Sequence, residues 1–291
     1  MNKILTPQHF DRKQKSGYQV SSIIIHFILI ILALVVIVPL VLPFMFAFKT
    51  SLEYAYHPWS IPKELHWENF VNAWNGVKIG SGMLNTFIVC LGTILFTIPP
   101  AAMAGYIFSR YRTKLTSVLF YFIMAGFFVP CQMVLIPLYK LDIRLGLINT
   151  LSGLFLAIAA FNIPFWTMIY RSFYNTLPGE LMEAAKIDGA GHWTTFIKIM
   201  FPLTKSATVL AILLTFMGAW SDYLLSLILI NSQDLFTLQL RVSKFIGNLG
   251  ANYFPQYAAG VIISAAPTII LYSIFHKKII EGTTLAGALK G

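Results

Sequence analysis

Leu181-Met-Glu-Ala-Ala-Lys-Ile-Asp-Gly-Ala-Gly-His-Trp-Thr-Thr-Phe-Ile-Lys-Ile-Met-Phe-Pro-Leu203 is a polar stretch set between two long apolar runs. Pro178 followed by Glu180 and Glu183 marks a helix start, because proline fits a first turn and carboxylates favour the positive end of the helix dipole. Asp188-Gly189 ends that helix, since glycine readily takes the left-handed backbone that a helix stop commonly needs. Trp193, Phe196, Ile197 and Met200 then recur at helical spacing, so a second short helix with one apolar face is predicted. Pro202-Leu203 closes the unit. A helix, a glycine turn and a second helix make a compact knob on the surface of whatever the flanking runs build.

Those runs belong in a bilayer. Of 291 residues, 57% are hydrophobic and only 11% charged, with a mean hydropathy of +0.72; a soluble domain carries about 25% charged residues. The formal net charge of +10 does not indicate nucleic acid, because the basic residues flank apolar runs instead of clustering on a polar domain. Cys90 and Cys131 both lie inside apolar runs, which suits small buried hydrophobes better than a disulfide. The six histidines show no metal-ligand spacing.

The polar tail 1–21 is followed by an apolar run at about 22–48, longer than the roughly 20 residues needed to span and too long for a signal-peptide core. Further spans are predicted at about 83–108, 115–138, 151–173, 207–230 and 256–275, six in all. Within the 49–82 loop, residues 67–74 suit a short amphipathic helix at the interface. The side of the N-terminus holds 14 Lys and Arg and the other side 7, which places both termini and the 171–206 loop in the cytoplasm. Prolines at 39, 43, 99, 100, 130, 137, 164 and 267 predict kinked spans. Freed carbonyls are then met by neighbouring helices or by a water-lined path; equally, proline is common in membrane helices.

The pattern Glu183-Ala-Ala-x-x-Asp188-Gly189-Ala190, with Phe196, Ile199 and Pro202-Leu203 at the following positions, resembles the EAA loop of permease subunits of binding-protein-dependent ABC importers. Asn85-Thr86, Ala104-Gly-Tyr-Ile-Phe-Ser-Arg110, Trp220-Ser-Asp-Tyr223 and the tail 282–291 resemble the MalG-like carbohydrate branch of that family. Ser206 and Ser221 depart from it, standing where many relatives carry Pro and Asn. The resemblance implies an all-α membrane protein of the type I importer permease fold: a tail 1–21, a six-helix domain 22–280 with its coupling loop at about 174–206, and a tail 281–291. It implies a bacterial cytoplasmic membrane, a second non-identical permease, two cytoplasmic ATPase subunits, an extracytoplasmic solute-binding protein and a saccharide substrate.

In that family the knob docks on an ATPase. By resemblance Glu183, Ala184, Ala185, Asp188, Gly189 and Ala190 form the docking side with Pro202 closing it, while Phe196 and Ile199 anchor the knob to the chain's own core. No catalytic residue or metal site is expected, and ATP with its magnesium belongs to the partner ATPases. Gly282-Thr-Thr-Leu-Ala-Gly287 has the glycine spacing of a phosphate loop, but Ala288 stands where lysine is required. This tail either reaches into the ATPase interface or is a disordered end.

Asp222, with Trp220 and Tyr223 beside it, lies within the fifth span, where a carboxylate is a functional hypothesis by default. It lines the cavity or meets the partner permease, or else makes a structural hydrogen bond. In the loop at 231–255, Gln239 and Arg241 offer hydrogen bonds, and Phe245, Tyr253 and Phe254 offer faces for a sugar or for the binding protein. An ordinary wet loop is the competing reading. Two other classes remain open at this stage. One is an ion-coupled secondary transporter, opposed by the scarcity of buried charge and the lack of an internal repeat. The other is a membrane scaffold or sensor, which needs no coupling knob.

Overall fold

The computed structural model describes residues 11–249 and 253–288, with side chains at 24–245 and 253–277. Among the described residues every regular element is helical. Helix α1 (Asp11–Ala47) begins within the stretch expected to be a polar tail; the tail's first ten residues lie outside the described ones. Two short helices come next, α2 (Ser51–Tyr56) and α3 (Glu68–Gly76), the second being the expected amphipathic element. Asn69 on α3 donates from Nδ2 to the carbonyls of Ala47 and Lys49, both at 2.8 Å, and so caps the end of α1.

Helices α4 (Ile79–Arg110) and α7 (Leu151–Thr176) form the centre of the molecule. Between them lie α5 (Lys114–Phe127) and α6 (Cys131–Leu145), which meet at a 103° bend. The third span expected at 115–138 is thus corrected: it breaks at 128–130. Pro130 lacks an N–H and pushes Val129 out of the helical region, which ends α5 after 14 residues, about 21 Å of helix. Pro39, Pro43, Pro99, Pro100, Pro137, Pro164 and Pro267, by contrast, sit within helices that run on through them.

The chain then forms α8 (Glu180–Ile187), α9 (His192–Thr195), a π-helical turn (Phe196–Met200) and α10 (Phe201–Leu203). Next come α11 (Lys205–Trp220), α12 (Leu224–Leu229), α13 (Leu238–Leu249) and α14 (Phe254–Ala288). Helices α1, α4, α7 and α14 are long and apolar enough to cross a membrane. Counting each bent pair as one crossing gives six, as expected. The fifth span differs from the expected 207–230 in being broken at 221–223, and the 231–255 loop contains a 12-residue helix, α13.

Two apolar clusters fill the core. One lies around Val89, Leu154, Trp220, Leu229 and Leu238, the other around Ala101, Tyr106, Tyr170, Tyr174, Phe196 and Met200. Both depend on α4 approaching α7 closely through residues without bulk, as apolar helices must when no hydrophobic force separates lipid from protein. A Cβ on Gly105 would lie 2.6 Å from Tyr170 Cβ and 2.8 Å from the Arg171 backbone nitrogen, neither of which can swing away. Both native cysteines are free thiols.

Gly105→Ala is therefore expected to destabilise the detergent-purified protein by about 1–3 kcal/mol through overpacking. Gly218→Ala, whose Cβ would enter open space, should leave Tm unchanged. Equal Tm values for the two variants would remove close α4–α7 approach as the reason for Gly105.

Candidate functional site

The knob's first helix ends where the sequence placed its stop. Gly189 has φ +77°, and the turn closes with two bonds: Gly189 N to Lys186 O at 3.1 Å and Ala190 N to Ala185 O at 2.9 Å. These are the paired bonds of a Schellman stop, which satisfies the last carbonyls of a short exposed helix. Gly191 opens the second helix, where Thr195 N bonds Gly191 O at 2.9 Å.

Pro202 shapes the second half of the knob. It cannot donate to Lys198 O, and its ring would crowd that carbonyl in an α-helix. The chain widens to a π turn over Phe196–Met200, in which Phe201 N donates to Phe196 O. At Thr204 the direction changes by 76°, so the knob lies across the start of α11. Thr204 Oγ1 donates to Phe201 O at 2.7 Å and holds the corner.

The knob is clamped to the ends of two membrane helices. Phe196 is buried, with its ring 5.3 Å from that of Tyr106 on α4, and Met200 is buried beside it. Tyr111 Oη lies 2.6 Å from His192 Nδ1. Arg110 donates from Nη2 to the carbonyls of Tyr174 (2.8 Å) and Leu177 (2.9 Å), tying the end of α4 to the residues that lead into the knob. Ser109 Oγ donates to Asn175 Oδ1 at 3.0 Å, and Tyr170 Oη to Thr208 Oγ1 at 2.9 Å. Arg110, Tyr111, Ser109 and Tyr170 carried no assigned role in the sequence. Their partners are backbone carbonyls or distant side chains that local spacing does not reveal.

The outward side carries Glu183, Ala184, Asp188 and Gly189, all exposed, with Ala190 half-buried and Pro202 exposed. Ala185 is corrected: it turns inward and is 3% exposed. Adjacent helical residues point about 100° apart, so Ala184 and Ala185 do not share a face. Ile199 is half-buried against the core, as expected. Trp193 and Ile197 leave the predicted apolar face and are exposed, as is Ile187 at 85%. The outward side is therefore acidic at Glu180, Glu183 and Asp188 and apolar at Ile187 and Trp193.

Asp222 makes the structural hydrogen bond that was one of its two readings. Its Oδ2 accepts from Ser226 N and Ser226 Oγ, both at 2.9 Å, and so starts α12. Trp220 is buried and donates from Nε1 to Ser264 O at 3.0 Å, joining α11 to α14, while Tyr223 is exposed. The three do not form one surface.

At the other end of α4, about 48 Å away at 1.5 Å per residue, Asn85 and Thr86 seat the segment leading into α13. Asn85 Nδ2 donates to Asp234 O (2.7 Å) and Phe236 O (3.1 Å), and Leu238 N donates to Thr86 Oγ1 at 2.8 Å. Of the residues expected to face a sugar or binding protein here, Tyr253 is exposed and Gln239 half-buried. Phe254 stacks on Tyr54 with ring centroids 4.5 Å apart. Arg241 and Phe245 are buried and line a cavity. Burial moves the Arg241 guanidinium below its ordinary pKa, and the nearby Asp234 carboxylate pulls it back up. Among the described residues no cluster of His, Cys, Asp and Glu has the make-up of a metal site.

A multi-span helical protein that breaks its helices to present a clamped knob at one end is a membrane subunit shaped to engage a partner there. Residues 97–281 match the family described as the binding-protein-dependent transport system inner membrane component, and the chain belongs to that family. It is 31% identical to the diacetylchitobiose uptake system permease protein NgcG of Streptomyces coelicolor, over 87% of this chain and 84% of that one. It is 30% identical to the melibiose/raffinose/stachyose import permease protein MelC of Bacillus subtilis, over 91% of this chain and 96% of that one. Its fold is similar to that of a chain in a bacterial ABC transporter that imports the acidic polysaccharide alginate, with TM-score 0.76, 20% identity and coverage of 95% and 99%.

Because a Cβ on Gly189 would meet no neighbour, only backbone strain opposes substitution there. Gly189→Asn should be tolerated, whereas Gly189→Val should cost about 1–2 kcal/mol. Thermal unfolding of both variants checks this, and equal stability would mean that the turn does not depend on its positive φ.

Proposed function

We propose that this chain is the permease subunit of an ATP-driven importer of sugars or oligosaccharides, in which the knob at 180–203 receives the motion of a cytoplasmic ATPase. The carrying observation is the knob itself: a short helix with a glycine stop whose outward side is acidic and apolar, held to the ends of α4 and α7 by Arg110, Tyr111 and Phe196. Exposed Ile187 and Trp193 have no packing role within the chain, and exposed apolar groups rimmed by charge mark partner surfaces. Glu183 suits a basic residue on the partner.

The excess of Lys and Arg on the knob side supports a cytoplasmic knob and cytoplasmic termini in a bacterial inner membrane. Sugar is the substrate class of the named relatives from Streptomyces and Bacillus. A second, non-identical permease, two ATPases and an extracytoplasmic solute-binding protein complete the assembly; a structural neighbour of this fold is a transporter in complex with a periplasmic protein. ATP and magnesium belong to the ATPases. Gly282–Gly287 lies within helix α14, where backbone N–H groups run along the axis and do not wrap a phosphate. No covalent intermediate forms on this chain. Ion-gradient coupling is disfavoured because Asp222 is engaged in starting α12.

Glu183→Lys, on an exposed position, should preserve folding while lowering ATPase co-purification by about tenfold, the equivalent of one charge-assisted contact. Undiminished capture would separate the knob from ATPase docking. Sugar uptake by vesicles driven by an ion gradient, with no ATPase bound, would overturn the ATP-driven reading altogether.

A further inference from the structure

At the end of the molecule opposite the knob, a cavity of about 460 Å³ is lined by Lys78, Arg241 and Lys244 together with Asp234, Asn231 and Gln233. Arg241 is only 7% exposed, and the fold makes room for it. A Cβ on Gly82 would lie 2.7 Å from Arg241 Cδ and 3.2 Å from Leu238 Cα, so the bare glycine on α4 lets the arginine stem lie flat between two helices.

The guanidinium donates only to backbone carbonyls: Nε to Phe236 O at 3.2 Å, Nη1 to Val77 O at 3.4 Å and Nη2 to Asp234 O at 3.4 Å. An arginine has five N–H donors, so each terminal nitrogen keeps one. Asn85 donates to the same Asp234 and Phe236 carbonyls, which fixes the wall against which the guanidinium rests. Lys244 is steadied by its ammonium lying 4.4 Å from the centroid of the Phe236 ring. Three cations thus face one carboxylate across a preformed cavity. Uncharged sugar hydroxyls do not call for that excess.

We propose that this cavity is a carboxylate-binding subsite, with the spare Arg241 donors taking the carboxylate and Lys78 and Lys244 neutralising it at the mouth. Planar guanidinium against carboxylate is the favoured pairing where a charge must be held in a partly dry site. Two sources present this group at that face: an acidic side chain of the docking solute-binding protein, or a uronate on the transported saccharide. The choice between them rests on the function proposed above; the carboxylate chemistry does not.

The first measurement uses the full-length protein in nanodiscs and reads the acetylation of Lys78 and Lys244 by mass spectrometry, with D-glucuronate or D-glucose added at constant ionic strength. Glucuronate should slow labelling by about tenfold, and glucose should not. Arg241→Gln should abolish the protection; should that variant fail to fold, Lys244→Gln should abolish it at Lys78. Equal labelling with glucuronate and glucose overturns the subsite. In the assembled transporter, weaker binding-protein docking by Lys78→Gln/Lys244→Gln identifies the protein carboxylate as the source. Unchanged docking with slower uptake of a glucuronide than of a neutral glycoside identifies the saccharide. A wild-type assembly that neither docks a binding protein nor imports sugar would defeat the importer reading while leaving the glucuronate result intact.

Discussion

Two hydrogen bonds from Arg110, to the carbonyls of Tyr174 and Leu177, hold together the parts on which the knob depends. Bonds from a charged donor contribute about 1.5–3 kcal/mol each. They join the last turn of α4 to the last turn of α7, and they do so one residue before Pro178 turns the chain into the knob. Ser109–Asn175, Tyr111–His192 and the Tyr106–Phe196 contact lie around the same point. The knob is consequently an extension of two membrane helices and not a loop slung between them.

This arrangement reflects the limits that a bilayer sets. Backbone groups must be satisfied internally within the hydrocarbon, so helices run unbroken there and irregular chain collects where protein or water can meet it. Each departure from a straight span has its local remedy. Asp222 satisfies the first turn of α12 at the break in the fifth span, Asn69 closes the end of α1, and Asn149 Oδ1 accepts from Asn231 N and Ser232 N at 2.9 and 2.8 Å beyond α12. The same economy appears at Gly82 and Gly105, where omitting a side chain lets a buried arginine or a neighbouring helix come close.

The stop at Gly189 was legible because Asp-Gly after a helical run has few other outcomes, and the inward placement of Phe196 agreed with its spacing. Trp193 and Ile197 were misread for a definite reason: helical periodicity assumes 3.6 residues per turn, and Pro202 forces a π turn over Phe196–Met200 that alters the register. Hydropathy carried the third span straight past Pro130, since a window average does not register where a backbone donor is lost. Helix α13 was hidden under polar residues, although Leu238, Val242 and Phe245 mark a buried stripe at helical spacing. Arg110 was beyond reach, because its acceptors are carbonyls 64 and 67 residues away in sequence.

If the knob is an extension of α4 and α7, motion imposed on it must be delivered to the membrane helices without slack. Spin labels at Ala184→Cys on the knob and Leu95→Cys on the exposed side of α4, with Cys90 and Cys131 replaced by alanine, measure this directly by pulsed dipolar spectroscopy in the assembled transporter. The expected result is one narrow distance distribution that stays the same with and without ATP, while the complex cycles. A shift of several ångströms on ATP binding, or a broad distribution in either state, would show that the knob swings on its own and would contradict the account.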